Sequence, residues 1–147
     1  MGLYMTAAIT QLEDSTLDLG GAQVRAHSRQ LATVVTVRGE IDVLNVDLVR
    51  SYVRRFVLGT DPVVLDLSEM GQFAPVGVGF LCRIDDDCRA AGVEWKLVAS
   101  PAVVELLGDQ AQAMFPITHS VHEALRNLGD AIVWRRQMLL SLIGKTA

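Results

Sequence analysis

Pro62-Val63-Val64-Leu65-Asp66-Leu67-Ser68 is the stretch on which the fold turns. It is a short, nearly continuous apolar run rich in β-branched side chains, the pattern of a central strand buried on both faces. A loop over residues 69–76 follows. Residues 77–91 then place Val78, Leu81, Ile84 or Asp85, and Cys88 on one face of a helix. Gly92 stops that helix, and Val93 to Ala99 reads as another strand. A strand, a crossover helix and a strand in this order imply parallel pairing.

Toward the N-terminus, Asn45 to Leu58 predicts an amphipathic helix. Leu48, Val49, Tyr52, Val53, Phe56 and Val57 form its apolar stripe, and Asp47, Arg50, Arg54 and Arg55 its polar side. Asn45 is the expected N-cap and Gly59 the expected stop. Before it, Ala22 to Ser28 and Leu31 to Val37 read as strands joined by a Ser28-Arg29-Gln30 turn, and Gly39-Glu40-Ile41-Asp42 ends the second strand. Toward the C-terminus, Ser100-Pro101 opens a helix with serine as cap and proline in the first position. Phe115-Pro116-Ile117 is a brief extended segment. Ser120-Val121-His122-Glu123 is a capping box that starts a helix through Ala124, Leu125 and Leu128.

The alternation predicts an α/β fold. Residues 1–21 carry acidic, Ser/Thr and Gly punctuation and are expected to form a flexible leader, with the domain over 22–128. Residues 129–147 form an amphipathic helical extension. Ile132, Val133, Met138, Leu139, Leu142 and Ile143 are its apolar positions, and Arg135, Arg136 and Lys145 are basic. The extension is expected to dock on the domain or on a second copy of it, since three basic residues make a weak membrane signal.

The chain's 147 residues, half of them apolar, suffice for a real core. Thirteen basic against seventeen acidic residues leave a net charge of −4, which argues against a nucleic-acid binder. No apolar run reaches the roughly 18–20 residues of a membrane span, and nothing near Met1 reads as a secretory signal. The two cysteines are too few for a disulfide scaffold, so a cytoplasmic setting is expected.

Several landmarks together resemble the STAS family, the domain of bacterial anti-anti-sigma factors. They are Gly39-Glu40-Ile41-Asp42, Val63 to Ser68, Gly77-Val78-Gly79-Phe80-Leu81, Gly92 to Val98, and Ser120 to Leu125. The resemblance implies a small, mixed, mostly parallel sheet of four to five strands packed by about four helices, plus an extra C-terminal helix. It also implies a non-catalytic role as an anti-sigma factor antagonist. The partner would be an anti-sigma factor of kinase-like ATPase fold, whose capture releases a sigma factor. A scaffold or subunit role in a lipid transporter or stress-signalling assembly is the alternative, and a homodimer is compatible with the tail.

Phospho-switched members carry Asp-Ser-x-Gly between the central strand and the glycine-led helix. This chain reads Phe73-Ala74-Pro75-Val76-Gly77. Ala74 stands at the aspartate position and Pro75 at the phosphoacceptor position, and proline has no hydroxyl to accept a phosphoryl group. The resemblance therefore assigns partner binding to Asp42, Asn45, Ser68, Phe73, Ala74, Pro75, Val76, Gly77 and Val78, without phospho-control at Pro75. Asp42 and Asn45 have a second reading as turn and cap residues.

No catalytic, metal or cofactor constellation emerges. Asp85-Asp86-Asp87 point about 100° apart around a helix and do not converge on one ion, so a solvated face paired with Arg83 and Arg89 is expected. Cys82 and Cys88 should lie roughly 9 Å apart along their helix, too far for a disulfide. His27, His119 and His122 are scattered, and no serine stands in a nucleophile elbow.

Overall fold

The computed structural model describes residues 15–29 and 31–146, with side chains placed as far as Ile143. The hairpin from β2 (Ala22–Arg29) to β3 (Ala32–Ile41) organises one half of the sheet. The two strands pair antiparallel from Ala22↔Gly39 to Arg29↔Ala32. Gln30, in the expected turn, lies outside the described residues, as does the expected leader before Ser15.

The rest of that leader is ordered, which corrects the expected boundary. Leu17–Leu19 is an edge strand, β1, antiparallel to β2. Gly20 and Gly21 turn the chain between them with φ of +63° and +102°, a two-residue turn that glycine enters without Cβ strain. Asp18 Oδ1 accepts from the Gly21 N–H at 3.1 Å and closes it.

β3 begins the parallel half. β4 (Val63–Leu67), β6 (Trp95–Ala99) and β7 (Ile117–Thr118) follow it in space, all parallel. The helices are α1 (Val46–Val57), α2 (Val76–Ala91), α3 (Pro101–Gln112) and α4 (Val121–Thr146). The expected α/β architecture is present, with seven strands rather than four or five among the described residues.

Alternation along the strands sends side chains to two cores. Val35, Val37, Val63, Leu65, Leu67 and Leu97 meet α1, α2 and α3 on one face. Ala32, Val34, Val64 and Val98 meet Ala124 and Leu128 of α4 on the other. β4 is apolar on both faces because both are covered.

Local chemistry sets most helix ends as expected. Ser100 Oγ accepts from the Val103 N–H at 3.3 Å with Pro101 at the first position. Gly92 takes φ +68°, its N–H reaches the Arg89 carbonyl, and the Val93 N–H reaches the Cys88 carbonyl at 2.8 Å. That pair of bonds is a Schellman stop. Ser120 Oγ accepts from the Glu123 N–H at 3.0 Å, while Glu123 Oε2 reaches back to His119 N at 3.1 Å.

Two expectations need correcting. Residues 129–147 do not start a separate helix, because α4 runs unbroken from Val121 to Thr146. Leu48 does not join the α1 stripe. It is 53 % exposed, whereas Val46, Val49, Tyr52, Val53 and Val57 are buried. The stripe turned toward the sheet is narrower than the run of apolar residues.

Candidate functional site

The loop after β4 is less free than its sequence suggested. After the turn Ser68-Glu69, β5 (Met70–Phe73) pairs parallel with the end of β3, from Gly39↔Met70 to Ile41↔Phe73. A shift in register between Gly39 and Glu40 lets the two bent segments stay together. The Ala74 N–H then donates to the Ile41 carbonyl at 3.0 Å. The chain just before Pro75 is thereby bound to the chain just before Asp42.

From Asp42 a tight corner leads into α1. Asp42 Oδ1 accepts from the Leu44 N–H at 2.9 Å and the Asn45 N–H at 3.1 Å, an Asx turn. Val43 and Leu44 ride on this turn, 74 % and 86 % exposed. Asn45 is fully buried and does not cap α1 with its side chain, contrary to expectation. Its Oδ1 accepts from the Asp42 N–H at 3.0 Å. Its Nδ2 donates to the Gly20 carbonyl at 3.1 Å and the Glu40 carbonyl at 2.9 Å. One amide thus ties the β1–β2 turn, the end of β3 and the start of α1 together.

On the other side, Pro75 is the N-cap of α2, exposed, with φ −53° and no capping side chain. Phe73 is buried and packs its ring against Gly77. Between the two corners lies a groove of about 420 Å³ lined by Val43, Val46, Asp47, Pro75, Val76 and Phe80, among others. Arg50 and Asp87 bridge α1 to α2 at 3.3 Å, and Arg83 lies 4.0 Å from Asp47. The groove has an apolar floor and a charged rim, the composition of a protein-docking surface.

These placements sort the expected residues. Ala74, Pro75, Val76 and Asp42 stand at the groove or the depression beside it. Gly77 and Asn45 are buried and act as supports, so they are corrected as direct contacts, while Phe73, mostly buried, also lines the depression beside the groove. Val78 is half-buried against the core. Ser68 is exposed on the β4–β5 turn, where its N–H meets Asp66 Oδ1 at 3.0 Å, outside the groove. Val43, Leu44, Arg50 and Arg83 are the residues that sequence reasoning missed. The available signal was an apolar pair inside an Asp-x-x-Asn turn.

A STAS domain family model matches residues 23–124. The chain belongs to the STAS domain family. Osmosensory protein A of Mycobacterium tuberculosis (strain ATCC 25618 / H37Rv) is 56 % identical over 143 residues, covering 94 % of this chain and 90 % of that protein. An anti-sigma factor antagonist from Mycobacterium paratuberculosis shares the STAS fold, with a TM-score of 0.65 and 22 % identity over 78 % of this chain and 94 % of that one. The anti-sigma factor antagonist SpoIIAA in its unphosphorylated form gives a TM-score of 0.59 and 16 % identity over 73 % of this chain and 96 % of that one.

Near the groove several polar side chains of this STAS domain pair with one another. In the acidic run, Asp87 pairs with Arg50. Asp85 accepts from Trp95 Nε1 at 2.9 Å and pairs with Arg89 at 3.0 Å. Arg83 turns to Asp47 rather than to the run, which corrects that part of the expected pairing. Among the described residues no three His, Cys, Asp or Glu side chains group as metal ligands. Cys82 and Cys88 are free thiols. Burial, then the charges of Asp85 and Asp87, push the Cys88 thiol up to about 12.

Proposed function

We propose that this chain is a non-catalytic interaction module of the anti-sigma factor antagonist type. It docks on an anti-sigma factor of kinase-like ATPase fold and thereby releases a sigma factor in the cytoplasm. The observation that carries this reading is the exposed apolar corner Val43-Leu44 standing across a groove from Pro75. Apolar side chains held out on a turn that is itself bonded at three points cost little entropy to bind.

The chemistry at residue 75 defines the regulation. A phosphoryl group there would add close to two negative charges beside an apolar surface. Proline has no oxygen to receive it, and Ala74 supplies no carboxylate. Docking in this reading is constitutive toward such a kinase, so control acts on the amount of protein or on another surface. The relative called Osmosensory protein A supports osmotic stress as the setting.

Incubating the purified chain with candidate anti-sigma factors and ATP tests the proposal. A stable complex without phosphoryl transfer is expected. Failure to bind any anti-sigma factor tested, or release from it by ATP with phosphoryl transfer to this chain, overturns it. The second reading, a scaffold or a subunit of a transport assembly, is favoured by the exposed apolar side chains of α4. Recovery of a transporter ATPase in place of an anti-sigma factor from a pull-down would select it.

A further inference from the structure

α4 rests on the sheet through Ala124 and Leu128, which are buried among Val34, Val64 and Val98. Beside that contact, next to the turn from β2 to β3, lies a cavity of about 460 Å³. That volume is within the range of small-molecule sites. Arg29 and Leu31 line it from the hairpin. Leu125, Arg126, Gly129 and Asp130 line it from α4, with His122 one turn before Arg126 on the same wall.

The charged side chains of this cavity are uncommitted. Arg126 and Asp130 stand four residues apart on one helix, the spacing at which opposite charges pair. Among the described residues, however, neither makes an ion pair or a side-chain hydrogen bond, and nor does Arg29. Two guanidiniums and one carboxylate are left to face one hollow, which also has the apolar surface of Leu31 and Leu125.

A glycine provides the room. Gly129 lies inside α4, where alanine is favoured over glycine by about 1 kcal/mol. Its φ is not in the left-handed region, so the backbone does not demand glycine. A Cβ there would meet Leu31 Cδ1 at an ordinary 3.8 Å, so close packing does not demand it either. What the missing side chain supplies is space between α4 and the hairpin.

We propose that this cavity binds a small organic zwitterion. Arg29 and Arg126 hold its acid group, a carboxylate or a phosphate, through the paired N–H donors of guanidinium. Asp130 faces its ammonium, and its carbon body lies against Leu31 and Leu125. A plain anion would satisfy the arginines and be repelled by Asp130, and a plain cation would meet the reverse. A ligand with both charges answers all three groups. The site stands at the amino end of β3, and the Asp42 corner follows its carboxyl end. The ten residues of β3 separate the two by roughly 30 Å at about 3.3 Å per residue. Occupancy therefore braces α4 on the hairpin and leaves the docking groove open.

Thermal-shift measurements on the full chain, followed by calorimetric titration, test the proposal. The probes are the proteinogenic α-amino acids and phosphoethanolamine, with inorganic phosphate and isocaproate (leucine without its amine) as single-charge controls. At least one zwitterion is expected to raise the thermal midpoint and to bind once per chain. A responding amino acid assigns a carboxylate ligand, and phosphoethanolamine assigns a phosphate. Arg126→Gln and Asp130→Asn should each weaken that binding at least tenfold, with little change in the midpoint of the unliganded chain. Gly129→Leu should abolish binding by filling the cavity, while its midpoint without ligand holds or rises. The proposal is overturned if no zwitterion binds saturably, or if a single-charge control binds as tightly. Binding that survives both Arg126→Gln and Asp130→Asn unchanged overturns it as well.

Discussion

The phenyl ring of Phe73 lies so close to the Cα of Gly77 that a Cβ there would come within 3.0 Å of three ring carbons. The end of β5 and the first turn of α2 are thereby locked face to face, with Pro75 held outward between them. The groove is thus flanked by supporting side chains that are buried.

Gly77→Ala therefore forces the ring or the helix to move. Overpacking of this kind costs about 1–3 kcal/mol. Urea denaturation should show that loss for Gly77→Ala. In Gly77→Ala/Phe73→Leu the two effects should be clearly non-additive, because the smaller side chain relieves the clash. Additive losses would mean that the ring does not brace the helix.

Asn45→Ala removes three hydrogen bonds at once and leaves the Gly20 and Glu40 carbonyls and the Asp42 N–H without them. The expected loss is about 2–3 kcal/mol, read as a lower thermal midpoint. Hydrogen exchange should also quicken at Gly20, Gly21 and Leu44. A change confined to α1 would indicate ordinary capping.

Leu44→Asp alters a residue that is 86 % exposed, so the thermal midpoint should hold within about 0.5 kcal/mol. Affinity for the anti-sigma factor should fall at least tenfold, as expected for an apolar anchor at the centre of an interface. Calorimetric titration measures it. Unchanged affinity would move the docking surface away from this corner.

Ala74→Asp/Pro75→Ser restores both missing groups on an exposed helix start. With a kinase-active anti-sigma factor and ATP, mass spectrometry should find one phosphoryl group on the variant and none on the wild type. The complex should then dissociate, because the added charge sits beside Val43 and Val76. Absence of transfer to the variant would show that this loop is not presented to the kinase.

The buried Cys88 thiol gives a pH signature. Its acidity moves from the ordinary value of 9.0 to about 12 on folding. The folded state thus holds this proton where the unfolded chain has released it. Stability from this group is fully present below pH 9.0 and declines toward pH 12, at a limiting slope of about 1.4 kcal/mol per pH unit. Urea titrations from pH 8 upward should show the decline in the wild type and a shallower one in Cys88→Ala. Identical slopes would count against it.

Much of the fold was legible in residue patterns that act locally. Val63 to Leu67 announced a strand covered on both faces, and such a strand needs helices above and below it. Ser100-Pro101, Ser120 to Glu123 and Gly92 marked helix ends through bonds spanning only a few residues. The five landmarks pointed to the STAS family because their order and spacing survive without any knowledge of contacts. β5 was not legible: Met70-Gly71-Gln72-Phe73 has weak strand character, and only pairing with the end of β3 makes it extended.

The sequence by itself determined the α/β class, the crossover order and the missing hydroxyl at residue 75, since each is a property of a residue or of its near neighbours along the chain. Tertiary structure decided which residues of the site face outward. Asn45 and Gly77 looked like contacts but are buried, because their partners, the Gly20 carbonyl and the ring of Phe73, are brought there by the meeting of separate elements. Val43 and Leu44 drew no reading from the sequence and are exposed, because the Asp42 turn lifts them off the core. Burial depends on what arrives from elsewhere in the chain, and that is settled only when the sheet and its helices close around one another.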